Sequence, residues 1–154
     1  MVIRIIRSAI AGAIAWWVGL NLVFGQAQRW LAHPDLQSAK MMAIYDMQPL
    51  PRTAENPWLL PAGMLVVAAV QACAFAYLRP AFPRSLVKRG LAFAAVAWAL
   101  LVPWFEFYLP WNLMLEPTLL VLLEMTCWAI ILALVGIAIS VAFGRAPGDA
   151  SGRG

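Results

Sequence analysis

Four stretches of this chain stay apolar for about twenty residues or more, and that length constrains the fold more than anything else in the sequence. They are residues 5–25, 58–78, 86–105 and 117–143. A helix rises about 1.5 Å per residue, so about 20 residues cross the ~30 Å hydrocarbon core of a bilayer. Inside lipid every backbone N–H and C=O needs a partner within the protein, which a helix supplies by itself. The pattern therefore predicts an all-α integral membrane protein, a four-helix bundle in a single domain over residues 1–145. Residues 146–154 form a Gly-rich polar tail expected to be disordered.

The composition agrees, with 64% hydrophobic and 12% charged residues where a soluble chain carries about a quarter charged. The net charge of +4 does not indicate nucleic acid as a partner, because the basic residues sit at the edges of the apolar runs. The first run resembles a secretory signal, with Arg4 and Arg7 ahead of it. It is too long for such a segment and contains Trp16, Trp17 and Asn21, so it is read as a span.

Basic residues set the orientation. Arg4, Arg7, Arg79, Arg84, Lys88, Arg89, Arg145 and Arg153 fall on one side of the four runs, and Arg29, Lys40 and Arg52 on the other. The positive-inside rule then places both termini in the cytoplasm. Pro57 and Pro117 open spans, Pro80 and Pro83 close the second, and Pro103 is expected to kink or end the third. The first outer loop is long. Helix-start chemistry at Pro34 and Asp35, followed by Leu36, Ala39, Ala43 and Met47 on one stripe, predicts a short interfacial helix there.

Small residues recur every four positions: Ser8 and Gly12 beside Ala11, Ala15 and Gly19; Ala68, Ala72 and Ala76; Gly136, Ser140 and Gly144. Such stripes let helices approach closely in lipid. The segments RSAIAGAIAW and RGLAFAAVAW, each opening on an arginine nine residues before a tryptophan, are a weak internal echo of two parallel hairpins. Cys73 and Cys127 lie within apolar runs and are read as buried small residues. His33, Met41, Met42 and Met47 scatter over different faces of the loop helix, so no metal is expected, and no cofactor either.

The chemistry concentrates in FEFYLPWNLMLEPTLLVLLEM, residues 105–125. A carboxylate in hydrocarbon is costly unless it is paired, protonated or hydrated. Glu106 is expected in the short third loop, solvated beside Trp104 and Tyr108. Glu116 precedes Pro117, where it meets the positive end of the fourth helix. Glu124 lies seven residues past Pro117, about 10 Å into the span. Its expected partners are the indole N–H of Trp128, one turn deeper, and Asn21 at a similar depth. Gln71 is expected to lie too deep to reach it. Trp30, Trp58, Trp104 and Trp111 form an outer aromatic belt, with Asn112 in the outer turn, while Trp16, Trp17, Trp98 and Trp128 fall near the midplane. An inward glutamate among those aromatics would suit a lipophilic cation.

The elements Glu106, Pro110–Trp111–Asn112, Glu116–Pro117 and Glu124 resemble the second hairpin of a family of small four-span bacterial inner-membrane proteins. The resemblance covers about a third of the chain, and it implies a bacterial inner membrane and the same architecture, without an activity. The single membrane glutamate among aromatics is also similar to that of the small multidrug-resistance transporters, which carry theirs in the first span and have short loops. With one histidine, no Gly-rich phosphate loop and no Ser–His–Asp set, the chain is not expected to be an enzyme. The expectation is a non-catalytic accessory or assembly subunit that packs against a larger membrane protein or against itself within the lipid bilayer. The alternative is a small proton-coupled transporter of lipophilic or cationic solutes.

Overall fold

The computed structural model describes residues 1–36 and 38–144, and the tail expected to be disordered at 146–154 lies outside the described residues. Among the described residues four helical segments are long and apolar enough to cross a membrane: Val2–Leu31, Leu59–Ala81, Leu86–Leu113 and Thr118–Phe143. The first is α1 (Val2–Gly19) continued through a π-helical turn, Leu20–Phe24, into α2 (Gly25–Leu31). Short helices α3 (Ala39–Tyr45) and α4 (Arg52–Glu55) follow in the first loop. Then come α5 (Leu59–Leu78), α6 (Leu86–Val102), α7 (Leu109–Leu113) and α8 (Thr118–Phe143).

Two boundaries differ from the sequence reading. The first helix runs on to Leu31 instead of stopping near residue 25, and the third does not end at Pro103. Pro103 has no N–H to donate and would crowd the carbonyl one turn back. A π-helical turn, Pro103–Tyr108, absorbs that misfit and carries the helix on through α7. The extension matters because it keeps Glu106 on a helix face and out of a solvated loop. In the first loop, Pro34–Leu36 forms only a 3-10 turn. The helix starts later, behind Ser38, whose Oγ accepts the Met41 N–H at 3.1 Å.

The helices pack in an arc, in the order α5, α1, α8, α6. α1 lies along both α5 and α8, and α8 also lies along α6. The two flanking helices meet through the Phe75 and Phe93 rings, 5.4 Å apart. Phe75, Phe93, Ile131, Val135, Ile139 and Phe143 make the main core, nearest the end that holds the first and last helical residues. There Ser8 Oγ donates to the Ile139 carbonyl at 3.2 Å, and Ser140 Oγ to that of Leu86 at 2.8 Å. Large apolar side chains such as Ile14, Val66, Val70, Leu100, Leu119 and Val141 point outward, as lipid as solvent requires.

Most of the small-residue stripes pack closely, but at Gly144, which ends one of them, a Cβ would meet nothing within 4 Å. Gly12 sits against Ile139 and Ala68, and Gly19 against Ile131. The closest approach belongs to Gly90 and Gly136. A Cβ on Gly90 would lie 2.6 Å from the Cα of Ile137, so α6 and α8 touch backbone to backbone. By contrast, a Cβ on Gly63 would meet nothing within 4 Å.

Gly90→Ala should therefore lower the thermal midpoint in detergent, at a cost of about 1–3 kcal/mol, because no flexible side chain can give way. Gly63→Ala should leave the midpoint unchanged or raise it, by up to about 1 kcal/mol of helix propensity. Equal effects from the two substitutions would contradict this packing.

Candidate functional site

The polar chemistry gathers at the end of the molecule that carries the first loop, and its centre is Lys40. Lys40 occupies the first turn of α3 and reaches down between the third and fourth helices. Its Nζ donates to Glu124 Oε2 at 2.7 Å and also to Glu106 Oε2. The side chains of Lys40, Glu106 and Glu124 are 20%, 14% and 4% exposed, so the three groups are largely withdrawn from water. Two carboxylates from two different helices thus share one cation from the loop.

Glu116 completes the arrangement from the turn before α8. It is buried, accepts from Ser38 Oγ, and accepts the Lys40 backbone N–H at 3.0 Å. An anion at the first amides of α3 satisfies donors that a helix start leaves open. Its position depends on a strained neighbour: Leu115 has φ +56 and is 83% exposed. The left-handed turn at Leu115 folds the chain back so that the Glu116 N–H bonds the Pro110 carbonyl at 3.0 Å. Beside these polar ties, Met41 plugs α3 into an apolar cluster with Ala27, Leu31, Leu120 and Cys127.

The structure gives Glu106 and Glu124 partners other than those the sequence suggests. Glu106 is paired on a helix, not solvated in a loop. Glu124 bonds to Lys40, and neither Trp128 nor Asn21 reaches it. Asn21 Nδ2 donates to the Trp17 carbonyl of its own helix at 2.7 Å and faces outward. The Trp128 indole N–H is buried without a hydrogen-bond partner, its ring packed edge-on to Trp16 and Phe24 with centroids 5.8 and 4.9 Å away. Gln71 belongs elsewhere, accepting the Trp16 N–H at 2.8 Å. Trp98 donates to the Met125 carbonyl at 3.1 Å.

In the aromatic belt Trp104 stacks on Tyr108 and Trp111 on Phe107, with Asn112 exposed on α7. The aromatic-lined cavity, about 210 Å³, is bounded by Trp16, Gln71, Phe105, Glu106 and Trp128 among others. Its carboxylate is Glu106 and not Glu124. Lys40 was the residue missed. The available signal was charge balance: three glutamates lie at the depth of an amphipathic loop segment whose only cation is Lys40.

No family model, curated protein or solved structure matches the chain.

Burial alone would lower the Lys40 pKa, but its hydrogen bonds to Glu106 and Glu124 outweigh that, and the pKa lies above the ordinary 10.5. A raised folded pKa means the ammonium contributes stability that is fully present below pH 10.5 and is lost as pH rises through the higher folded value. Spin-label mobility at Ala43→Cys, with Cys73 and Cys127 replaced by alanine, should therefore stay low at neutral pH and rise only above that range. Fully buried pairs cost about 3–5 kcal/mol to break and exposed ones at most about 1. With its partial exposure, Lys40→Met should cost about 2 kcal/mol and shift the same label about thirtyfold toward the mobile state at neutral pH. A label equally immobile in Lys40→Met would contradict the assignment.

Proposed function

We propose that this chain is a non-catalytic integral membrane protein of a bacterial inner membrane, with both termini in the cytoplasm. In this reading it is an accessory or assembly subunit that packs against a larger membrane complex. The observation that carries the reading is where the polar chemistry goes. Lys40 takes up Glu106 and Glu124, Ser38 and the Lys40 amide take up Glu116, and Gln71 takes up Trp16. Those groups are consumed in fixing the loop and the helices to one another. What the loop end presents outward is aromatic and apolar: Trp30 and Trp58 are 66% and 80% exposed, alongside Trp104, Tyr108 and Trp111. Tryptophan and tyrosine at a membrane surface serve both headgroup anchoring and protein docking.

The transporter reading keeps one observation in its favour, the cavity that borders Glu106 between aromatic walls. The two readings separate on Glu124→Gln. The amide in that variant still offers Lys40 an oxygen and Glu106 still supplies charge, so a subunit assembles almost normally. A transporter would lose proton-coupled uptake while remaining folded and inserted.

Purification of the tagged full chain in mild detergent, with mass spectrometry of co-eluting proteins, should yield a larger membrane protein in fixed stoichiometry. That partner should be lost from a Trp58→Ala, Trp111→Ala chain that still inserts. A monomer or homodimer alone would overturn the subunit reading.

A further inference from the structure

Glu106 has two neighbourhoods. On one side it pairs with Lys40, and on the other it bounds the aromatic-lined cavity of about 210 Å³. That cavity lies on the inner side of the arc, between its two end helices. Val67 and Gln71 come from α5, Leu101 and Phe105 from the third spanning segment, and Trp16 and Trp128 from α1 and α8 between them. Val67, Leu101 and Phe105 are also exposed on the surface of the bundle, so the cavity can be entered from lipid. Its volume is below the roughly 300–1,000 Å³ of pockets that enclose drug-sized ligands, which suits a compact head group.

The walls offer an occupant few hydrogen-bond acceptors. The Gln71 oxygen already accepts the Trp16 N–H at 2.8 Å, which leaves the Glu106 carboxylate as the side-chain acceptor. One carboxylate beside the rings of Trp16, Phe105 and Trp128 matches a cation that has no N–H groups to satisfy, as a quaternary ammonium has none. A hard metal ion would need several oxygen ligands. Among the described residues no group of three His, Cys, Asp or Glu is placed to hold one. Two carboxylates, Glu106 and Glu124, face the single ammonium of Lys40, so the cluster has a negative group to share with a second cation.

We propose that this cavity binds a compact lipophilic quaternary ammonium, and that the bound cation loosens the first loop by sharing Glu106 with Lys40. Lys40 then keeps Glu124 as its partner and loses part of its hold on the third segment. Binding and loop docking oppose each other, so each weakens the other by the same factor. The site requires no transport, and it stands whether or not the loop end docks a larger protein.

The test uses the full-length chain in neutral detergent at fixed ionic strength. Binding is read with tritiated benzyltrimethylammonium, and loop docking with the spin label at Ala43→Cys. Benzyltrimethylammonium should bind saturably and shift the label about fivefold toward the mobile state, at the low end of coupling between sites. Its uncharged isostere neopentylbenzene should not, and an equal shift from it would overturn recognition of charge. Phosphatidylcholine carries the same trimethylammonium on a headgroup held at the surface and should leave the label as it is. Equal potency from the lipid would overturn the free cation as the occupant. Glu106→Gln should weaken binding about thirtyfold while the loop stays held through Glu124 and Glu116. Val67→Phe fills the cavity without touching a charge, and it should block binding while the label stays as immobile as in the parent. Full binding in both variants would overturn the site. Lys40→Met removes the competing ammonium and should bind the compound about fivefold more tightly. Binding there that was unchanged or weaker would overturn the sharing of Glu106.

Discussion

One ammonium group organises the loop end of this protein. Lys40 enters from a short loop helix and meets Glu106 on the third spanning segment and Glu124 on the fourth. Either carboxylate alone at that depth would be costly, and so would the lysine. Together they make the loop part of the membrane domain. Such a buried pair adds little net stability compared with an apolar replacement. What it supplies is placement. The loop has one docked position, because only there do three charges, the Glu116 contacts and the Met41 plug coincide.

That arrangement explains features that look unrelated in sequence. The π-helical turn after Pro103 prolongs the third helix by a span that includes Glu106, so the glutamate is held at a fixed angle. The strained Leu115 turn aims Glu116 back at the first amides of α3. Strain of this kind costs of order 1–3 kcal/mol and persists only where the surroundings enforce it. Carboxylates near one end are matched by a lysine from the same chain.

The spanning helices were legible in the sequence because apolar length is a strong signal and lipid admits few other solutions. Small-residue stripes gave most of the close contacts, Gly136, the tightest, among them, although its partner Gly90 was not among the residues picked out from the sequence. The glutamates were legible as unusual residues, but their partners were not. Depth along a helix is readable at 1.5 Å per residue; azimuth around the bundle and the path of a loop are not. Asn21 has the right depth for Glu124 and points outward, while Lys40, 84 residues away in sequence, closes the pair. Pro103 was readable as a disturbance of the helix but not as one the helix survives, since a proline's effect depends on whether the next turn can widen.

The most direct measurement is amide hydrogen exchange across the first loop of the unmodified protein, resolved to single residues. The Lys40 and Met41 amides donate to Glu116 and Ser38 and belong to a helix locked onto two spans. They should exchange at rates approaching those of the spanning helices, while the Leu50 amide, in an exposed irregular stretch, exchanges fast. If Lys40 and Met41 exchanged as fast as Leu50, the loop would not be docked and the Lys40 cluster would not organise this end of the protein.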